Sequence, residues 1–275
     1  MEILMNAPVR TPQRVRHDTR LRAAQVVSVT DISPKMRSIV FRSEDLKDFV
    51  SLAADDHVKL FFPPSGANPA DRSWLQPGAG GRPSGLVARD YTPRRFDTRE
   101  GTIDIEFVLH DHGPASSWAS QAKVGQWLGI GGPRGSFVVP DDYGLFVLIG
   151  DETALPAIAR RLEELPAGTN AIVLIEVADA REERVLPTAA DARVTWLVRN
   201  GAAAGTTDLL IRAVEALQPP GMDAADIYVW IGAEIETARG LRAWFAEHWS
   251  MPRAQIRAGG YWRLGVADGA GRIDD

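Results

Sequence analysis

Two hydrophobic periodicities divide the chain. Before residue 140, apolar positions recur at every second residue. In TIDIEFVLH (102–110), Ile103, Ile105, Phe107 and Leu109 fall on one face and Asp104, Glu106, Val108 and His110 on the other. This pattern predicts a strand with one face in a core. KMRSIVFR (35–42) alternates in the same way, and HVKLFF (57–62) predicts another strand. ARDYTPRRFD (88–97) reads as a strand that Pro93 interrupts, because proline cannot donate to a ladder. PASSWASQ (114–121) predicts one short helix, and the Gly/Pro-rich stretch 63–85 predicts a long surface loop. Short strands separated by turn signals predict an antiparallel barrel or sandwich.

After VVPDDYG (138–144) the texture changes. LFVLIG (145–150), AIVLIEVA (171–178), RVTWLVRN (193–200) and DIYVWIGA (226–233) are near-continuous apolar runs of strand length, as expected for strands buried on both faces. Helices are predicted over 151–165, 207–217 and 236–248; the first starts close to Ala154, because Pro156 is tolerated only in a first turn. Strands alternating with helices predict a doubly wound parallel α/β domain. The expected organisation is an N-terminal tail (1–20), a β domain (21–140), an α/β domain (141–258) and a C-terminal tail (259–275).

Composition narrows the chemistry. A chain of 275 residues is long enough for two cores. The absence of cysteine excludes disulfides, thiolate catalysis and Cys-ligated metal or iron–sulfur sites. A net charge of −5 gives no global signal for nucleic acid, and no apolar run is long enough for membrane insertion. The N-terminus has no secretory pattern, so the expectation is a cytoplasmic protein, with a monomer as the default. His110 and His112 lack a third ligand at metal spacing, so no metal site is expected; His17 and His248 read as ordinary surface residues.

Four stretches carry candidate chemistry. In 88–97, Arg89 and Tyr91 share one strand face and Thr92 and Arg94 the other: a phosphate-matching fork, a flat ring and a small hydroxyl. The competing interpretation is a solvated strand end with the arginines paired to Asp90 and Asp97. In FVLHDHGPASSWA (107–119), a Gly-Pro turn opens a helix whose free amides and serine hydroxyls form a candidate anion site. IGDETALP (149–156) joins a strand to a helix where open α/β sheets bind dinucleotides, although G-x-G-x-x-G is missing and a helix cap at Asp151 or Thr153 explains it equally well. Finally, Tyr261 and Trp262 stand among glycines near the C-terminus.

In order, DDHVKLFFP, ARDYTPRRFD, DIEFVLHDHGPASSWA, GGPRGSF, GDETALPAI, WLVRNG and GYWRLG resemble the siderophore-interacting protein family, FAD-containing ferric-siderophore reductases of the ferredoxin-reductase-like superfamily. The resemblance implies a six-stranded-type FAD-binding β-barrel followed by an NAD(P)H-binding domain. It implies that Arg89 binds FAD phosphate, Tyr91 lies against the isoalloxazine, Thr92 contacts the ring and Arg94 supports the cofactor. His110, Gly113, Pro114, Ala115 and Ser116, with Trp118 behind them, would hold the phosphate and ribityl chain. Asp151, Thr153 and Ala154 would lie between flavin and nicotinamide, and Arg199 at the adenosine end of the nicotinamide cofactor. Tyr261 and Trp262 would close over the flavin region, and Lys59 and Arg134 would face an anionic ferric siderophore. Leu264 stands where relatives often carry a basic residue. Glu176 and Asp179 would favour NADH; Arg181, Arg184 and Arg199 would favour NADPH. The implied activity moves electrons from NADPH or NADH through FAD to a ferric siderophore. Two alternatives stay open: a flavin oxidoreductase with a quinone or protein acceptor, and a non-enzymatic siderophore-binding protein.

Overall fold

A computed structural model describes residues 10–76, 85–110, 113–266 and 271–272. The first half is built on strands β1 (Gln13–Arg16), β2 (Leu21–Ser33), β3 (Met36–Arg42), β4 (Val58–Phe61), β5 (Ala88–Tyr91), β6 (Arg95–Asp97), β7 (Thr102–Val108), β8 (Trp127–Gly131) and β9 (Gly135–Val138), with helix α1 (Pro114–Gln121) after β7. Seven of these strands pair antiparallel in the order β5-β4-β8-β2-β3-β7-β6. β5 and β6 lie at opposite ends of that order, yet only Thr92, Pro93 and Arg94 join them. So short a link reaches no more than ~15 Å, so the sheet must curl until its edges meet. Counted as one strand bent at Pro93, β5 and β6 close a six-stranded barrel. The alternation of β7 holds: Ile103, Ile105 and Phe107 are fully buried in the barrel core.

The second half contains β10 (Leu145–Asp151), α2 (Leu155–Glu164), β11 (Asn170–Val177), β12 (Asp191–Val198), α3 (Leu209–Glu215), β13 (Ile227–Glu234), α4 (Ile235–His248), β14 (Ile256–Trp262) and β15 (Gly271–Arg272). The sheet order is β12-β11-β10-β13-β14-β15, parallel from β12 to β14. The chain leaves β10 in one direction for β11 and β12 and returns on its other side for β13 and β14. The topological switch point is therefore between β10 and β13, at the carboxyl ends of the strands.

Several elements depart from the sequence expectation. The 13-residue β2 was not anticipated. Its inward positions include Arg22, 4% exposed, which breaks the apolar alternation. That guanidinium is satisfied by the Asp45 and Gly132 carbonyls and by Asp48. The 1–20 tail contains β1, which pairs with β9. His17 is not an ordinary surface residue: its Nε2 lies 2.8 Å from Ser136 Oγ. The 259–275 tail begins inside β14. Within the 63–85 loop, Leu75 is buried against β8 and so is not at the surface.

One apolar cluster spans both halves. Met36 and Val139 belong to the same cluster as Leu155 and Ile158 of α2, and partly buried Ile32, Val108 and Phe137 pack against it. The two domains thus share a hydrophobic seam, and the candidate site lies along it.

Candidate functional site

The segment 89–94 splits into two parts. Arg89 and Tyr91 are half-buried on β5, opposite Leu60 and Val58. The Tyr91 ring lies 4.5 Å from that of Phe107, and burial pushes its phenol pKa up. Thr92, Pro93 and Arg94 are all buried, and each meets the α/β domain. The Thr92 side chain lies near the Tyr261 hydroxyl, which brings β14 to the end of β5. The Pro93 carbonyl accepts from Arg160 Nη1 at 3.1 Å. Arg94 donates through both Nη atoms to Glu163, at 2.7 Å each, and its Nε lies 3.3 Å from Glu106. Its fork is occupied by protein carboxylates, so Arg94 joins the domains here and does not face open space. Arg95 also pairs with Glu163, from an exposed position.

The turn before α1 is built around Gly113, whose φ of 101° is a left-handed conformation open to glycine. A Cβ there would come within 3.4 Å of the His110 ring. Ser116 Oγ accepts from the His110 amide at 2.8 Å and donates to its carbonyl at 2.6 Å, which fixes the turn. No side chain caps α1, and Pro114 carries no amide hydrogen, so Ala115 and Ser116 present the first helical N–H groups. Trp118 lies behind them among Phe41, Phe62 and Phe107, with its indole Nε1 buried and unpartnered. Asp111 and His112 lie outside the described residues.

At the switch point, Asp151 ends β10. Its Oδ1 accepts from the Thr153 amide and hydroxyl at 2.9 and 2.5 Å, and its Oδ2 from Trp262 Nε1 at 2.7 Å. Burial raises its carboxyl pKa to about 6, with Glu152 adding to the effect. Trp262 therefore reaches from β14 across β13 to β10. It also packs on Gly205, where a Cβ would sit 2.7 Å from its ring. Ala154, fully buried, packs against Gly150 and Gly232. The structure thus brings together Thr92, Tyr261, Trp262, Asp151, Thr153 and Ala154, which are remote in sequence.

Other expected groups are held elsewhere. Arg199 lines a cavity of about 650 Å³ with Asn200, Gly205 and Thr207. Its guanidinium is held by Glu152 at 2.8 Å and Glu176 at 3.2 Å. Thr207 Oγ1 donates to Glu176 at 2.9 Å. Asp179 pairs with Arg181, and Arg184 with Glu106. Every group weighed for choosing NADH or NADPH therefore has an internal partner. Lys59 pairs with Asp90 at 2.8 Å, on the sheet face opposite Arg89. Arg134 is exposed beside β1, its carbonyl accepting from the His17 amide at 3.0 Å.

Sequence reasoning missed the polar residues of the seam. Asp55 accepts from Arg257 Nε at 2.5 Å and Trp230 Nε1 at 3.3 Å. Arg160 donates to the Ser51 hydroxyl and carbonyl at 2.8 and 3.0 Å. Asp55 adjoins Asp56 and Arg160 adjoins Arg161 in sequence, so neither stands out locally; the one signal was an arginine on the apolar face of a predicted helix.

A siderophore-interacting FAD-binding domain matches residues 25–137, and a siderophore-interacting protein model matches residues 143–265. The chain is 36% identical over 267 residues to an NADPH-dependent ferric-chelate reductase of Escherichia coli, covering 94% of this chain and 99% of that protein. The chain belongs to the siderophore-interacting protein family. Another relative, the ferric vibriobactin reductase of Vibrio cholerae, is 28% identical, covering 85% of this chain and 86% of its own. A siderophore utilization protein from T. fusca superposes with a TM-score of 0.84 at 38% identity, covering 94% and 98% of the two chains. A ferredoxin reductase of carbazole 1,9a-dioxygenase, 17% identical with a TM-score of 0.62 over 88% and 69% of the chains, shares the fold.

The donor set of this siderophore-interacting protein fits FAD. Arg89, whose Nη1 donates to the Ala88 carbonyl at 2.7 Å, brings a cationic group of the kind that matches a diphosphate, and the start of α1 has no side-chain cap on its amides. Tyr91 and Thr92 supply an aromatic surface and a hydroxyl. Gly113 itself adds no side chain beside the α1 amides.

Proposed function

We propose that this chain is an FAD-dependent ferric-siderophore reductase that takes electrons from NADPH or NADH and delivers Fe(II) in the cytoplasm. The observation that carries the proposal is the attachment of segment 92–94 to α2, through the Pro93 carbonyl on Arg160 and the Arg94 fork on Glu163, because it joins the FAD-binding and α/β domains at the predicted cofactor edge. Bound FAD would supply the exchange between two-electron nicotinamide chemistry and one-electron reduction of Fe(III). The iron is substrate, and one added electron weakens its hold on hard oxygen ligands. Arg89 and the α1 amides would bind the FAD diphosphate; Tyr91 and Thr92 would orient the ring. Asp151, Thr153 and Ala154 would line the nicotinamide side, with Arg199 at the adenosine end. Tyr261 and Trp262 would exclude water from the crevice. Lys59 and Arg134 would attract the anionic chelate. Arg94 is better assigned to the domain seam than to the cofactor. We divide the domains near residues 140–144, and a monomer fits this reading.

The test is a spectrum followed by an acceptor comparison. Protein incubated with FAD and freed of excess should be yellow and should reduce a ferric triscatecholate faster than a quinone. A protein that stays colourless would remove the enzyme reading.

A further inference from the structure

Helix α2 connects the two halves of the candidate site. Its ten residues span about 15 Å. Its amino end follows Asp151–Ala154 at the switch point. Its carboxyl half is bound to the barrel: Arg160 by Ser51 and the Pro93 carbonyl, and Glu163 by the two-pronged Arg94 fork. Phe96 of β6 packs under the Arg160 guanidinium, 5.5 Å from the ring centre. Arg94 is itself held from the other side by Glu106. The barrel segment that ends in Arg94 begins with Arg89 and Tyr91.

We propose that α2 is a strut, with Arg94 and Glu163 as positioning residues that set the nicotinamide mouth relative to the flavin-binding edge. The proposal rests on the reductase reading given above. A bidentate pair fixes direction as well as distance. A rigid helix carries that orientation to Asp151 and Ala154. On this proposal, electron entry from the nicotinamide depends on this alignment, whereas electron exit to a small ferric chelate needs only access to the flavin.

Glu163→Ala is the direct test, since Arg94 keeps Glu106. The account expects flavin reduction by NADPH to slow roughly tenfold to a hundredfold, the scale of a small misplacement. Reoxidation of the dithionite-reduced protein by ferric citrate should be unchanged, and FAD affinity should hold. Arg95→Ala, which removes only the exposed partner, should alter neither step; should Glu163→Ala fail to fold, Glu163→Gln takes its place. A second readout needs no cofactor. The chain has no cysteine, so Lys123→Cys and Glu215→Cys can be spin-labelled selectively on the two domains. Their distance distribution should broaden or shift in Glu163→Ala. Equal slowing of both steps, no slowing of reduction, or an unchanged distance would overturn the proposal. If neither NADPH nor NADH reduces the wild-type flavin, the reductase reading fails, and the label distances alone decide the strut.

Discussion

Arg89 and Arg94 belong to one short segment but have different surroundings, and the difference is readable in single substitutions. Arg89 lies on half-buried β5, so Arg89→Ala should weaken FAD binding while leaving the fold intact. Losing one hydrogen bond to a charged group costs about 1.5–3 kcal/mol, or roughly 10- to 150-fold in Kd. Flavin fluorescence titration measures this. Glu163 supplies a pH prediction. The Arg94 fork, reinforced by Arg95, holds its pKa at about 2, against an ordinary value of 4.5. A carboxylate depressed by folding stabilises above its ordinary pKa and loses that contribution as the pH falls through its folded value. Glu163→Gln should therefore be less stable than wild type at pH 7, and the gap should narrow between about 4.5 and about 2. Thermal melts across that range check the sign.

Among the elements, legibility followed regularity. The strict alternation of β7 and the unbroken apolar runs of β10 and β13 were plain in the sequence, and α1 fell where its Gly-Pro start placed it. β2 was hidden by inward Arg22, and β8 by Gly129 and Gly131, which have no side chain to carry an alternating pattern. β14 was hidden because Gly259 and Gly260 look like tail; a Cβ at Gly260 would lie 2.7 Å from Ile235, so close packing requires glycine there. The residues of the proposed cofactor edge form a motif in the sequence. Their partners across the seam were not legible, because no local pattern records which carboxylate an arginine will meet. β14 carries its own prediction. Trp262→Phe leaves Asp151 Oδ2 without its 2.7 Å donor. An unsatisfied buried acceptor costs about 1–3 kcal/mol, which lowers Tm by a few degrees in a chain of this size. Differential scanning fluorimetry measures it.

For the whole molecule, two domains share one apolar seam crossed by polar contacts that include Arg160–Pro93, Arg94–Glu163, Asp55–Arg257 and Glu106–Arg184. No helix among the described residues is long and apolar enough to cross a membrane. The proposed nicotinamide site on one side of the seam and the proposed flavin edge on the other would make electron transfer the activity this arrangement serves. Anaerobic turnover tests that claim most directly. FAD-loaded protein is mixed with NADPH and a ferric triscatecholate, and Fe(II) is trapped by a colorimetric chelator. The account predicts that NADPH bleaches the flavin, the ferric chelate restores its colour, and about two Fe(II) appear per NADPH consumed. Flavin that NADPH and NADH leave oxidised, or reduced flavin that the ferric chelate leaves unchanged, would contradict it.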